Sequence, residues 1–80
     1  MNVRECVVKR LYELCEQRGI TVNAMARISG VHPSTLKSIL YGASNNPGIV
    51  TIKMFCDGLG ISITEFFDTA DFRSLEQELR

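Results

Sequence analysis

Four glycines, at positions 19, 30, 42 and 60, cut this chain into short runs, and each follows a stretch whose apolar residues recur at helical spacing. That punctuation leaves few folds open. Val7, Leu11 and Leu14 repeat at i, i+4, i+7 with Val8 and Cys15 beside them, so residues 2–18 are predicted to form an amphipathic helix stopped by Gly19 in the C′ position. Thr21 stands where an N-cap belongs, ahead of a two-turn helix over 22–29 whose Met25 and Ala26 face inward and which Gly30 ends. After Val31 and His32, Pro33 suits the first position of a third helix, where its missing N–H would have had no partner. This helix runs to Tyr41 and ends at Gly42. Leu36, Ile39 and Leu40 bury one side of it and leave Ser34, Thr35, Lys37, Ser38 and Tyr41 on or near the open side.

Residues 43–48, with Ser44-Asn45-Asn46-Pro47, have loop composition. Beyond them Ile52, Phe55, Cys56 and Leu59 mark a fourth helix, ended by Gly60. Ser62-Ile63-Thr64-Glu65 fits a capping box that starts a short fifth helix holding Phe66 and Phe67. Phe72, Leu75 and Leu79, at i, i+3, i+7, put a narrow apolar stripe on an otherwise charged tail, which is expected to be helical. No alternating strand pattern of four or more residues stands out, and the β-branched run Ile49-Val50-Thr51-Ile52 is too short to count. The predicted fold is all-α, with five helices and a short helical tail.

Eighty residues, 45% apolar and 22% charged, make one small globular domain. So short a chain has a thin core, and a deep catalytic pocket would compete with it for apolar residues. Cys6, Cys15 and Cys56 are odd in number and contain no CxxC, and only His32 could join them around a metal. They are expected to be buried, reduced thiols. One histidine and scattered serines make no catalytic constellation, so neither an enzyme, a cofactor nor a metal is expected. The longest stretch without formal charge, Ser38 to Ile52, is rich in polar side chains and falls short of the apolar run that a membrane-spanning helix needs. MNVRECVVKR lacks the apolar core of a secretion signal, and the expected location is the cytoplasm.

The net charge of zero conceals an asymmetry. Residues 1–53 hold seven basic and three acidic side chains, net +4, and residues 54–80 hold two basic and six acidic, net −4. Between Glu16 and Asp57 the chain carries Arg18, Arg27, Lys37 and Lys53 and no acid. Such a stretch could face a polyanion, or it could be an ordinary solvated surface.

Residues 22–41 combine a two-turn helix, a tight turn and a second helix, with small Ala26 and Gly30 four apart. A larger side chain at Ala26 would push the two helices apart where they cross, and Gly30 accepts the positive φ that the turn needs. Together with Thr21, Met25-Ala26, Ser29-Gly30-Val31, Thr35-Leu36, Ile39, Gly42, Pro47, Leu59-Gly60-Ile61-Ser62 and Glu65-Phe66-Phe67, this layout resembles the phage-repressor-like (Cro/repressor, XRE-type) helix-turn-helix family from about Val7 to Phe67. The resemblance implies a lambda-repressor-like helix-turn-helix domain over 1–67, with the motif at 22–41 and an acidic tail at 68–80. It further implies double-stranded DNA as the partner, a homodimer, and insertion of the third helix in the major groove. Carried over by position, the base readers are Pro33, Ser34, Thr35, Lys37 and Ser38. Phosphate contacts fall to Thr21, Asn23, Tyr41, Asn45, Asn46 and Gly48; the alternative is that Thr21 serves only as an N-cap, the asparagines only as turn formers and Tyr41 partly as core.

The chain departs from that family in three places. Val22 replaces the polar residue, often Gln, at the start of the second helix, and this implies modest specificity. Cys15 and Leu40 stand where an Arg–Glu pair is frequent, an apolar exchange that keeps the packing. His32 occupies a turn position usually held by Ser or Thr, where it either caps the third helix or touches phosphate. Phe72, Leu75 and Leu79 are the candidate dimer or partner surface, or else extra core folded over the first helix. The implied function is a repressor without a separate ligand domain. The alternative is a protein-interaction module of the same fold, such as an antitoxin-like protein, that binds a partner at its acidic C-terminal face.

Overall fold

Asn2 opens the first helix. Its side-chain oxygen accepts the Glu5 N–H at 2.8 Å while the Glu5 carboxylate accepts the Asn2 N–H at 3.3 Å, a complete capping box ahead of α1 (Val3–Arg18). The structure is a computed structural model that describes residues 1–42, 46–77 and 79. After α1 come α2 (Val22–Ile28), α3 (Pro33–Tyr41), α4 (Ile49–Leu59), α5 (Ile63–Phe67) and α6 (Ala70–Arg73). All regular structure among the described residues is helical.

Three of the helix ends share one turn. Gly19, Gly30 and Gly60 have φ of 65, 72 and 71°, and the residue after each sends its N–H back to a carbonyl five residues earlier: Ile20 to Cys15, Val31 to Ala26 and Ile61 to Cys56, at 3.0, 2.9 and 3.0 Å. Gly42 differs, ending α3 in an extended conformation at φ −78° and ψ 171°.

Several boundaries shift from the sequence expectation. Asn2 and Ser29 are caps and not helical residues, and the β-branched run from Ile49 forms the first turn of α4. At Ser62 the hydroxyl accepts the Glu65 N–H at 3.0 Å, and the two-way box is found at Asn2 instead. The tail is corrected most. Among the described residues its helix covers only Ala70–Arg73, and Leu75 and Leu79 lie beyond that helix. A helix this short persists only by packing. Phe72 has partners, its ring edge-on to Phe67 at 4.8 Å and 6.1 Å from Phe66, whereas Leu79 is 79% exposed.

The core gathers Leu11 and Leu14 of α1, Met25 and Ala26 of α2, Leu36 and Ile39 of α3, Phe55 and Cys56 of α4, and Phe66 of α5. Phe55 and Phe66 are fully buried, and each such ring contributes about 2–3 kcal/mol. α2 packs on α1, α3 and α4, and Gly58 of α4 lies close against Ser29 at the end of α2. A methyl group there would overlap Ser29 Oγ and stand 2.9 Å from the Ser29 Cα, so only glycine lets α4 lie this near.

Three arginines of α1 tie α3, α4 and α5 to it. Arg4 donates to the carbonyls of Ile39 and Gly42 at the end of α3 (2.9 and 3.3 Å). Arg10 donates to Phe66 and Glu65 in α5 (2.8 and 2.9 Å), and Arg18 to Leu59 at the end of α4 (3.1 Å). Carbonyls in the last turn lack helical partners and carry the negative end of the helix dipole, so a cation there satisfies both.

Candidate nucleic-acid interface

The helix-turn-helix begins with Thr21, whose hydroxyl accepts the Ala24 N–H at 3.1 Å and keeps its own hydrogen free to donate. Ala26 is 2% exposed at the contact of α2 with α3, and Val31 plugs the turn from inside. His32 caps α3: its Nδ1 accepts the Ser34 N–H at 3.1 Å and lies 2.8 Å from Ser34 Oγ. A nitrogen that accepts from the backbone carries no proton, which puts the ring hydrogen on Nε2 and directs the Ser34 hydroxyl hydrogen to Nδ1. With its hydrogen so directed, the Ser34 hydroxyl keeps its oxygen lone pairs to accept from outside.

Leu36 and Ile39 anchor the inner side of α3, at 2% and 6% exposure, and Arg4 fixes its last turn. Pro33, Ser34, Lys37, Ser38 and Tyr41 are exposed and Thr35 is half-buried. A notch flanks α3 on either side. One, of 130 Å³, is lined by Thr35, Ser38, Asn46, Gly48 and Thr51 at the start of α4, where Gly48 gives no side-chain cap and the first-turn N–H groups stay open. The other, of 530 Å³, lies between α2 and α3 with Ala26 and Val31 at its floor and Asn23, Arg27, Pro33 and Lys37 around it.

Thr21 stands apart from both notches, in a 340 Å³ hollow with Tyr12 and Glu16. Tyr41 is 74% exposed and so belongs to the surface, and the neighbouring Tyr41 hydroxyl, together with burial, pushes the Tyr12 hydroxyl pKa up. Asn45 lies outside the described residues. Cys15, one of the two positions that exchanged an ion pair for apolar groups, is buried with its sulfur 3.4 Å from that of Met25, and Leu40 packs half-buried on the core.

The basic side chains divide into two kinds. Lys9 meets Asp71 at 2.6 Å, Lys53 pairs with Asp57, Arg73 meets Asp68 at 2.6 Å, and the three α1 arginines hold carbonyls. Among the described residues only Arg27 and Lys37 have neither an acidic nor a carbonyl partner, and both line the α2–α3 groove. Arg27 lies outside the site that the sequence motif implies. Its signal was present all the same, because it is the one base of α2, one turn from Asn23, in the acid-free stretch between Glu16 and Asp57.

Burial raises the thiol pKa of Cys6, Cys15 and Cys56, which are all free and buried. Among the described residues no cluster of three or more His, Cys, Asp or Glu could hold a metal, and no helix is long and apolar enough to cross a membrane.

An outward polar helix held at a fixed angle by a tight turn, with its neighbouring cations unpaired, defines a DNA-binding helix-turn-helix domain. The chain belongs to the Cro/C1-type HTH DNA-binding domain family, whose model matches residues 10–71. It is also similar to a solved structure, that of prophage Lp1 protein 11, with a TM-score of 0.83 and 36% identity, covering 94% of this chain and 100% of that one. Comparison with curated proteins gives no match.

Proposed function

We propose that the protein is a sequence-specific transcriptional repressor that binds double-stranded DNA as a homodimer, with α3 in the major groove. The observation that carries this reading is the outer face of α3, where Pro33, Ser34, Lys37 and Ser38 stand exposed between two notches on a helix whose inner side is locked. Pro33 offers apolar contact, suited to a thymine methyl. Ser34, held as an acceptor by His32, suits an amino group of adenine or cytosine, while Ser38 and the half-buried Thr35 discriminate weakly. Lys37 reaches a guanine or a phosphate. Thr21, Asn23, Tyr41, Asn46 and the open N–H groups after Gly48 contact the backbone.

Dimerisation through the tail would use Leu75 and Leu79, since Phe72 already lies against Phe66 and Phe67. The likeness to a prophage protein is in keeping with a phage-type regulator. Selection of bound sequences from a random duplex pool at two salt concentrations tests the whole reading. The expected result is a palindrome with half-sites about 10 base pairs apart. Recovery of no motif, with binding that vanishes at the higher salt, would refute it.

A further inference from the structure

Arg27 and Lys37 face one groove from opposite helices. Asn23 and Arg27 are one turn apart on α2, Pro33 and Lys37 are one turn apart on α3, and the apolar floor between them is Ala26 and Val31. In a chain of balanced charge, where the other six described bases each have an acid or a carbonyl in reach, two cations that face one groove without a counter-charge repel one another. The sequence provides no local relief, because the nearest acids along the chain are Glu16, back in α1, and Asp57, near the end of α4. An anion from outside would remove that repulsion.

Building on the DNA-binding reading above, we propose that Arg27 is a contact to the DNA phosphate backbone and that it forms, with Lys37, a two-cation clamp across the α2–α3 groove. Phosphate is favoured over a base edge by position. In a helix-turn-helix the second helix of the motif enters the major groove while the first crosses the backbone, and Arg27 is on the first. The guanidinium presents paired N–H donors that match a phosphate, and the adjoining Asn23 amide can donate to the same group.

The test is the salt dependence of Kd for a selected duplex and a scrambled one, measured for the wild type, Arg27→Ala, Arg27→Lys and Lys53→Ala. Loss of one phosphate contact makes the slope of log K against log salt shallower by about 0.9, which corresponds to about eightfold weaker binding at 0.1 M salt. Arg27→Ala is expected to show both changes on both duplexes, and Arg27→Lys to keep the wild-type slope. Lys53→Ala is expected to change neither, since that ammonium already pairs with Asp57. Alanine is a strong helix former, so α2 is retained in the variant, and an unchanged circular dichroism spectrum verifies it. Wild-type binding with an unaltered slope in Arg27→Ala would overturn the clamp and leave the proposed function standing. So would a loss confined to one base position, or a loss as large in Lys53→Ala. A wild type that binds no duplex would overturn both.

Discussion

Gly58→Ala tests the packing that sets the angle of the helix-turn-helix. In an unhindered helix interior this exchange stabilises by about 1 kcal/mol, because alanine is the better helix former. At Gly58 the new methyl would overlap Ser29 Oγ and lie 2.9 and 3.0 Å from the Ser29 Cα and Cβ. The hydroxyl can rotate away, but the Cα moves only with the end of α2. Overpacking against a rigid neighbour costs up to about 3 kcal/mol, so a net loss of about 2 kcal/mol is expected. For a domain of this size that lowers Tm by about 8–16 °C, measured by thermal unfolding followed by circular dichroism. Ser29 supplies an internal control. Its hydroxyl is buried without a hydrogen-bond partner, so Ser29→Ala alone is expected to stabilise by about 1 kcal/mol. Combined with Gly58→Ala it should recover only part of the loss, since the contacts to Cα and Cβ remain. A Gly58→Ala protein with a Tm equal to or above that of the wild type would refute the close approach of α4 to α2.

Other expectations follow from the same contacts. Arg10→Ala is expected to destabilise by about 2 kcal/mol in urea unfolding, because a mostly buried cation that donates to the Phe66 and Glu65 carbonyls is lost; a change under about 0.5 kcal/mol would contradict that tie between α1 and α5. Ser34→Ala is expected to cost about 1 kcal/mol of DNA affinity at a single base position, read by competition among duplexes varied there, and a uniform loss over all positions would place Ser34 on the backbone. The thiols give a pH dependence. Burial raises the folded-state pKa of Cys15 and Cys56, whereas unfolded thiols ionise near about pH 8.5, so above that pH the unfolded state releases protons first. Stability should therefore hold below about pH 8.5 and fall above it, by up to about 1.4 kcal/mol per pH unit for each thiol. A flat profile in urea titrations carried about one pH unit above that point would contradict it.

Helix order and the motif were legible because they rest on local rules. A glycine after an apolar run, a threonine N-cap and a proline at the first helical position act within a few residues, and Thr21, Gly30 and Pro33 stand where those rules put them. Contacts between distant residues left no such trace. Nothing in the periodicity of α1 shows that Arg4, Arg10 and Arg18 reach the carbonyls of three different helices, so the surplus of bases in the first half looked like surface charge. Gly58 likewise reads as a weak point within a helix until Ser29, from the far end of α2, is found against it. The tail misled for the opposite reason. Phe72, Leu75 and Leu79 have helical spacing, but spacing specifies a helix only where a surface waits to cover it, and here Leu75 is half-buried and Leu79 is exposed.

The electrostatics of the molecule are unevenly completed, and the unevenness follows the function. Around α1, α5 and α6 opposite charges meet on the surface: Lys9 with Asp71, Arg73 with Asp68 and the amino terminus with Glu76. Exposed pairs of this kind add little stability, but they leave that side with small local fields. Around α3 the same chain leaves Arg27 and Lys37 unpaired, gives the start of α4 no side-chain cap, and holds no acid between Glu16 and Asp57. These omissions leave uncompensated positive charge and open N–H groups on the surface, and a single polyanion laid along α3 would complement them together. A domain this small, with a thin core, has little stability to give up, and here the omissions border α3, whose outer face is neither buried nor charge-paired.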